Sequence, residues 1–503
     1  MHYRFRSPRI APLAFGVIAA CLTGIAGAAQ TNDQQDAAFR QAVSIAGSRT
    51  PVGLPGGIVA ARAGGKSNDN NTLTPIKHVI LIIGENRTFD HVFATYTPKQ
   101  GQTIDNLLSK GIVKVNKKGK ASPGPNAQLA IQYQASDTGK YDISPKRITP
   151  YGFLPTTTTA GAPTNAHFTS VAAAQAVEPA LEQDDYSKLT VGGTGLPANT
   201  SPDPRLPAQI PNGPFDLHAS FSYDDYTADI VHRFFQMWQQ MDCDAKAITN
   251  DNPSGCRMDL FPWVGVTIGT GSNGKPQPAN FTDVTTGQGP NSMGFSNMAA
   301  GDAPYFKQLA DNYAISDNFH QSVMGGTGAN HIMLGFGTAI YYAGKHGEAE
   351  IPPANQIENP DAQPGTNNYW TQDGYSGGSY VNCADETQPG VRSVRNYLKK
   401  LPYKTFRGTD CKSGAYYLVN NYNPGYLGDG TPAPLGSNQF TIPPSDQPNL
   451  ATMLEEHKVS WKYYGEGWNG GQEDGDGGYC NICNPFLFSS KVMTDPKLRS
   501  NNQ

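Results

Sequence analysis

The sequence predicts an α/β protein built on a mostly parallel sheet with helices on both faces. First, the run 79-VILII-83 is continuously apolar, as is typical of a parallel strand buried on both faces. Second, two later segments, 302–331 and 449–466, each combine a helical pattern with a short apolar strand. Third, the chain has 55 glycines and 39 prolines among its 503 residues, which predicts long loops around that core.

The first predicted unit is a strand followed by a helix. Residues 79–83 form the strand, which ends at Gly84. Thr88 can then cap a helix that extends through Phe93. The order at the start of the core is therefore strand, turn, helix.

The second unit begins with a helix. Pro304 favours a helix start, and the apolar pattern extends through Leu309. Residues 314–319 then form a short strand, and the turn 325-GGTG-328 leads into a helix beginning near Asn330.

The third unit, 449–466, is a helix followed by a strand from 459 to 466 that carries Glu466 at its tip. The interval 345–445 before it is rich in Gly, Asn and Pro. We expect this interval to be a loop-rich excursion or lid outside the sheet.

The N-terminus predicts export. Arginines, an apolar stretch and the small residues 26-AGA-28 indicate a signal peptide over residues 1–28. The alternative is a lipobox, 18-IAAC-21, in which Cys21 would carry a lipid. Residues 29–74 show almost no apolar periodicity and are predicted to be a flexible lead-in. The mature protein is therefore expected to be extracytoplasmic, either periplasmic or secreted.

The formal net charge is only −4, with 16% charged residues. This balance indicates neither a nucleic-acid-binding surface nor an acidic tail. No nucleic-acid partner is expected.

The six cysteines beyond the targeting segment predict disulfides. An even number of cysteines in a secreted chain favours pairing. The pairs nearest in sequence are the simplest arrangement: Cys243–Cys256, Cys383–Cys411 and Cys480–Cys483. The alternative is that Cys480 and Cys483 form half of a metal site, but no second CxxC or HxxxH is visible as a partner.

Glu85 and Asn86 follow the first predicted strand, at the end where open parallel sheets bind ligands. Two hard oxygen donors at that position could hold a cation. Arg87 and Asp90 could orient the loop through a charge-assisted hydrogen bond. The alternative is an ordinary helix start, with Asn86 as the cap and Asp90 near the helix dipole. The residues alone support both interpretations.

The turn 325-GGTGANH-331 and the segment 229-DIVHRF-234 hold two further candidates. Glycines on either side of Thr327 would let the backbone approach a ligand, and its hydroxyl could attack phosphorus if a metal or base lowers its pKa. His232 could be a general acid or a phosphate donor. Taken alone, Thr327 could instead be a helix cap, and His232 could instead be a packed structural histidine.

Four segments occur together in the order seen in a bacterial phosphoesterase family: 85-ENRTFDH-91 with its strand, 229-DIVHRF-234, 323-VMGGTGANH-331 and 459-VSWKYYGE-466. The chain resembles that family from about residue 75 to residue 490. The family contains acid phosphatases and phospholipases C and belongs to the alkaline phosphatase superfamily. The resemblance implies an alkaline-phosphatase-like core within a phosphoesterase domain at 75–503.

The resemblance also implies roles for particular residues. The metal-binding Glu and Asn of the family fall on Glu85 and Asn86, and its metal-bound nucleophile falls on Thr327. His232 falls on a histidine of the family that is thought to contact the phosphoryl group. Asn330 falls on the family's usual Asn downstream of the nucleophile and is a candidate catalytic residue. The implied cofactor is a divalent metal ion of unspecified identity. The implied mechanism is in-line attack by Thr327, followed by hydrolysis of a phosphothreonine.

The chain also departs from the family pattern. His331 stands where family members commonly have Arg, and 479-YCNICNPFLF-488 has Cys in place of a His. The family's later acidic pair, which completes the metal site, would lie beyond Gln503. We therefore expect a C-terminally incomplete member. The alternative is that Glu466 or acids within 345–445 replace the missing ligands.

The expected function is a secreted, metal-dependent phosphoric ester hydrolase of the acid phosphatase or phospholipase C type. Its substrate would be a phosphomonoester or a phospholipid. Membrane contact is expected only if the substrate is a lipid or Cys21 is lipidated. The alternative is an impaired or truncated homologue that binds phosphate or lipid headgroups without turning them over.

Overall fold

The computed structural model describes part of the chain. The described residues are 74–135, 142–155, 170–177, 203–221, 225, 227, 230, 232–267, 290–344, 346–358, 378–402, 411–435, 441–465, 468–469, 472–473 and 479–503. The predicted signal peptide, Cys21, nearly all of the lead-in, Asp229 and Glu466 lie outside the described residues.

The secondary structure of the described residues is mostly helical. The helices are α1 (Phe89–Phe93), α2 (Val171–Val177), α3 (Phe234–Met241), α4 (Phe261–Thr267), α5 (Pro304–Asn312), α6 (Thr327–Phe336), α7 (Val391–Lys400), α8 (Leu450–Glu456), α9 (Ser490–Met493) and α10 (Pro496–Arg499). The strands are β1 (Val113–Val115), β2 (Ala121–Pro123), β3 (Tyr133–Ala135), β4 (Arg147–Pro150), β5 (Phe215–Asp216), β6 (Gly294–Phe295), β7 (Tyr380–Val381), β8 (Tyr417–Leu418), β9 (Trp468–Asn469) and β10 (Gln472–Glu473).

These strands form pairs rather than one large sheet in the described part of the chain. The antiparallel pairs are β1–β2, β3–β4, β7–β8 and β9–β10, whereas β5 and β6 are parallel. In β5–β6 the register places Phe215 opposite Gly294. Such short pairs neither establish nor exclude a larger parallel sheet, so the alkaline-phosphatase-like core stays a prediction.

The segments predicted as core strands are not paired as strands in the described chain. Residues 79–83 leave their apolar side chains 36% to 67% exposed. Residues 314–319 contain the exposed Phe319. Residues 459–465 form an isolated bridge, from Tyr463 to Asn502, rather than a strand. A parallel strand depends on neighbouring strands for its hydrogen bonds, and no described strand pairs with these segments. Apolar character alone therefore did not determine their structure.

The predicted helices are present, and Thr88 is confirmed as the cap of the first one. Thr88 caps α1 in a capping box with His91, and Asn449 caps α8. Helix α5 begins at Pro304, as predicted. Helix α6 begins at Thr327 rather than near Asn330, with Gly326 as its N-cap.

All three predicted disulfides are present: Cys243–Cys256, Cys383–Cys411 and Cys480–Cys483. The first lies in a hydrophobic cluster where α3 and α7 pack together. The interpretation of Cys480 and Cys483 as half of a metal site is therefore wrong for the oxidised protein.

The described parts of 345–445 contribute to the core. Val391, Val394 and Tyr397 of α7 pack in the same cluster as the Cys243–Cys256 disulfide. Tyr380 and Tyr422 pack in a second cluster that includes α6. This interval therefore supports α6 directly, and the boundaries proposed for the domains stay predictions.

Among the described residues, no helix combines the length and the apolar character that crossing a bilayer requires.

Candidate active site

Three predicted site residues meet at the start of α6. The buried hydroxyl of Thr327 donates a hydrogen bond to the carboxylate of Glu85. Its Oγ1 also lies 3.3 Å from Nε2 of His232. Glu85 and His232 are 242 and 95 residues away in sequence. One hydroxyl thus lies between a carboxylate and an imidazole.

The ring of His232 is held in one tautomer when it is neutral. Its Nδ1 lies 2.8 Å from the carbonyl oxygen of Ile230, which can only accept a hydrogen bond. Nδ1 must therefore carry the proton, and Nε2 presents a lone pair towards Thr327. His232 can accept the proton of this hydroxyl once the hydroxyl turns from the Glu85 carboxylate, to which it donates in this conformation.

The residues after His232 fix its backbone. Arg233 is fully buried and pairs with Glu358 at 2.5 Å. The N–H of Phe234, the first residue of α3, donates to Oδ1 of Asn420 at 2.8 Å. The motif around His232 is thus anchored by one ion pair and one hydrogen bond to buried partners.

The turn before α6 is clamped by residues 419–421. The N–H of Gly326 donates to the carbonyl of Val419 at 3.0 Å, and the N–H of Gly328 donates to Oδ1 of Asn421 at 2.8 Å. A Cβ on Gly326 would lie 2.5 Å from that Oδ1. Glycine at this position therefore serves close approach to the protein's own chain rather than to a ligand. The N–H groups of Gly326 and Gly328 are therefore bonded within the protein in this conformation.

Asn330 holds the same turn from inside. Its Nδ2 donates to the carbonyls of Val323 at 2.9 Å and Gly326 at 3.2 Å, and its Oδ1 accepts the N–H of Val323 at 3.0 Å. These bonds tie Asn330 to the backbone leading into Thr327. Its catalytic role stays a prediction.

The segment that carries Glu85 makes a tight bend. Asn86 has a φ of 60°, in the left-handed region that Asn tolerates better than most residues. Arg87 donates to the Asn86 carbonyl at 2.8 Å and to Oγ1 of Thr227 at 2.7 Å. This bend directs the exposed Glu85 towards Thr327.

Asp90, Thr88 and His91 of the ENRTFDH motif have structural roles. The Asp90 carboxylate accepts a hydrogen bond from the N–H of Leu107 at 3.0 Å. The loop is therefore not oriented by the predicted hydrogen bond between Arg87 and Asp90. The capping residue of α1 is Thr88, paired with His91, so the interpretation of Asn86 as the cap is wrong. Within this motif, Glu85 is the side chain seen at the nucleophile.

Arg87 also lines a neighbouring cleft of about 200 Å³. Its other polar walls include Asp225, Thr227 and Asp302, whereas Phe306 contributes an apolar wall. Arg87 therefore connects the bend that carries Glu85 with the wall of this cleft.

A candidate metal ligand that the sequence did not reveal is His331. It follows Thr327 by four residues in α6, so both lie on one face of the helix. The ligand atoms of Glu85, His331 and Cys483 all lie within 4.8 Å of one another. Burial lowers the pKa of His331 to about 4, so its ring is neutral near pH 7 and can bind a metal. Its i+4 spacing from Thr327 was the available signal.

The donors around Thr327 fit a divalent cation. Glu85 and Thr327 offer oxygen and His331 offers nitrogen, a mixture that suits transition metals and zinc. Cys483 offers no thiolate because it is bonded to Cys480. The role of Asn86 as a metal ligand stays a prediction.

A hydroxyl at a helix start, between a carboxylate and a histidine, is typical of hydrolases that use a hydroxyl nucleophile. The sequence model of the Phosphoesterase family matches residues 195–501, more than half of the chain. The chain therefore belongs to the Phosphoesterase family. The match includes His232 and Thr327, whereas Glu85 precedes it. No curated protein and no solved structure matches the chain.

Family membership defines the general chemistry. The protein is a hydrolase acting on phosphoester bonds, with phosphate esters as substrates. Members of the family are typically metal-dependent.

Proposed function

We propose that this protein is a secreted, divalent-metal-dependent hydrolase of the acid phosphatase or phospholipase C type, with Thr327 as its nucleophile. The observation that carries the proposal is the convergence of Glu85 and His232 on Oγ1 of Thr327 from distant parts of the chain. The mainly apolar targeting segment at residues 1–28 and the three disulfides support export.

The residues that would hold the cation are Glu85, Asn86 and Thr327, joined by His331. When bound, a divalent cation lowers the pKa of a hydroxyl and neutralises charge on a phosphoryl group. A carboxylate, a hydroxyl and a neutral imidazole are a donor set compatible with such an ion. The metal's identity is not part of the proposal.

In the first step, Oγ of Thr327 attacks phosphorus opposite the ester oxygen. The bond from phosphorus to that oxygen breaks, and a phosphothreonine forms. The hydroxyl proton passes to Nε2 of His232, which lies 3.3 Å away. The carbonyl of Ile230 accepts a hydrogen bond from Nδ1–H and so stabilises the imidazolium and its orientation.

In the second step, water attacks the phosphothreonine and the bond from phosphorus to Oγ of Thr327 breaks. His232 returns its proton to the Thr327 oxygen, which restores the starting hydroxyl. The clamp by residues 419–421 and Asn330 holds this oxygen in place through both steps. A fixed nucleophile lowers the entropic part of the barrier.

The test compares Thr327→Ala with Thr327→Ser in the purified full-length protein. Hydrolysis of p-nitrophenyl phosphate and of its phosphocholine ester would be measured with a series of divalent metals. We expect the alanine variant to lose at least about 10³-fold in kcat, whereas serine retains turnover because it keeps the hydroxyl. Mass spectrometry after an acid quench should find phosphate on Thr327.

An alanine variant with a near-normal rate would exclude this nucleophile. A wild-type protein that binds phosphate in calorimetry but hydrolyses neither ester would instead support the non-catalytic, phosphate-binding homologue. The two esters separate phosphomonoesterase from phospholipase C specificity, since both activities use the same nucleophile.

A further inference from the structure

The Cys480–Cys483 disulfide lies against the helix that carries Thr327. The 3₁₀ turn Asn481–Cys483 packs on α6. Thr327, His331 and Gly335 share one face of α6 because each follows the last by four residues. A Cβ on Gly335 would lie 2.5 Å from Pro485, just after the turn. The disulfide therefore covers the face that carries His331.

Cys483 is close enough to join a metal site. Its Sγ, a ring nitrogen of His331 and a carboxylate oxygen of Glu85 lie within 4.8 Å of one another. While Sγ is bonded to Cys480, it is not a thiolate and is a poor ligand. Reduction would supply a thiolate beside a neutral imidazole and a carboxylate. Three such ligands with a water are a common zinc environment.

The turn is held in place without its disulfide. The hydroxyl of Tyr463 donates to the Cys483 carbonyl at 2.7 Å, and the Cys483 N–H donates to the Cys480 carbonyl at 3.1 Å. Next to it, the buried Asn484 donates to the Tyr479 hydroxyl at 2.9 Å. We expect Cys483 to stay near Glu85 after reduction.

The spacing of the two cysteines is that of disulfides that undergo exchange. Two cysteines separated by two residues form the Cys-X-X-Cys motif of thiol–disulfide exchange. By contrast, the other disulfides close loops of 13 and 28 residues, and Cys243 and Cys256 are both buried. Cys483 is only partly buried.

We propose that Cys480–Cys483 is a redox-controlled metal site, in which reduction allows Cys483, His331 and Glu85 to bind a thiophilic divalent metal such as Zn²⁺. A dithiol supplies two electrons and two protons, so the S–S bond becomes two thiols and the dithiol becomes a disulfide. Metal binding then displaces the proton of the Cys483 thiol, and Cys480 stays protonated.

This site shares Glu85 and His331 with the proposed catalytic centre. A metal held by Cys483 and His331 would withdraw Glu85 from Thr327, and hydrolysis would slow. That consequence rests on the proposed function, whereas metal binding itself does not. The test therefore reads metal binding by spectroscopy, independently of turnover.

The test uses Cys480→Ser, which frees the Cys483 thiol without any reductant and leaves the other disulfides intact. Cys483→Ser is the matched control, because it also leaves one free thiol in the same turn. Each full-length protein would be titrated with Co²⁺, whose bond to a thiolate gives a charge-transfer absorption band. The Cys480→Ser/His331→Ala double variant tests the imidazole.

We expect one Co²⁺ per molecule with a thiolate band in Cys480→Ser, and no band in Cys483→Ser or in the oxidised wild type. Adding His331→Ala should weaken binding by roughly tenfold or more. A folded Cys480→Ser protein without a band would overturn the proposal, and so would an equal band in both single variants. If Cys480→Ser does not fold, the wild-type protein is partly reduced with a limiting amount of a dithiol. The Co²⁺–thiolate band is then measured in that protein. Alkylation mapping would confirm that Cys480–Cys483 is the open pair, and absence of a band there would again refute the site.

Discussion

Nε2 of His232 lies 3.3 Å from Oγ1 of Thr327, while its other ring nitrogen bonds the carbonyl of Ile230 only two residues earlier. The backbone of its own segment therefore sets which nitrogen faces the hydroxyl. This is the arrangement of a nucleophile with its base and an orienting group. Here the orienting group is a carbonyl rather than a carboxylate.

Replacing His232 with Gln should remove the proton acceptor while keeping a polar side chain of similar reach. We expect kcat for p-nitrophenyl phosphate to fall by roughly 10² to 10⁴-fold, the usual range for general acid–base catalysis. The KM should change much less. Steady-state kinetics from acidic to neutral pH would check this, because the limb of the pH profile that reports His232 should vanish.

The control for this variant is His320→Gln, since His320 is exposed and bonds the nearby Asn318. Its kinetics should match the wild type. Equal losses in both variants, or an unchanged pH profile in His232→Gln, would contradict a role for His232 in proton transfer.

Asn421 is expected to position the nucleophile. Replacing it with Ala leaves the buried N–H of Gly328 without its acceptor at 2.8 Å, which should cost about 1–3 kcal/mol of unfolding free energy. Because Gly328 follows Thr327 directly, kcat should also fall. Urea unfolding together with ester hydrolysis would measure both effects.

Asn421→Asp retains an oxygen at the acceptor position and should recover part of the stability and rate. The exposed Asn312, which bonds the Gln308 carbonyl, provides the unrelated comparison as Asn312→Ala. If Asn421→Ala loses no more unfolding free energy than Asn312→Ala, the hydrogen bond from Gly328 to Asn421 does not stabilise the start of α6.

Local signals made much of the site predictable. The starts of α1 and α5 follow from Thr88 and Pro304, because a cap depends on residues within one turn. The disulfides followed from sequence proximity. The meeting of Glu85 with Thr327 followed from the family resemblance, which carries information about contacts across 242 residues that periodicity does not.

The remaining features depend on tertiary contacts without a local signal. Asn421 binds the turn before α6 across 93 residues, within an interval whose Gly, Asn and Pro content predicted only loops. His331 is a candidate ligand only because Cys483 and Glu85 approach it. The apolar run 79–83 predicted a strand, but pairing needs a neighbour that a sequence pattern does not specify.

The buried ion pair between Arg233 and Glu358 should be important for stability. Glu358→Ala leaves the fully buried guanidinium of Arg233 without its carboxylate, and such a loss typically costs about 3–5 kcal/mol. His232 precedes Arg233, so activity should fall as well. Chemical denaturation of the variant and the wild type would give the difference in unfolding free energy.

The exposed pair between Glu456 and Lys491, 3.6 Å apart, is the matched control. Glu456→Ala should change the unfolding free energy by no more than about 1 kcal/mol. Similar costs for Glu358→Ala and Glu456→Ala would show that Arg233 does not depend on its carboxylate partner.

The buried carboxyl group of Asp259 makes the stability of the protein depend on pH. Burial, and then repulsion from the buried carboxylate of Asp242, raises the pKa of Asp259 from 3.8 to about 6, although Arg147 pairs with it at 2.7 Å. The folded protein thus binds this proton more tightly than the unfolded chain. The resulting stabilisation is complete below pH 3.8 and is lost as the pH rises through about 6.

Asp259→Asn should remove this dependence, because an amide keeps the shape of the carboxyl group without its charge. The variant should gain unfolding free energy relative to the wild type between acidic and neutral pH, by up to about 3 kcal/mol. Urea unfolding over a pH series would measure this gain, with the exposed Asp446→Asn as a control that should follow the wild type. If the unfolding free energies of Asp259→Asn and the wild type change with pH in parallel, Asp259 has the same pKa in the folded and unfolded states. Arg147 would then fully offset the effects of burial and of Asp242 on that pKa.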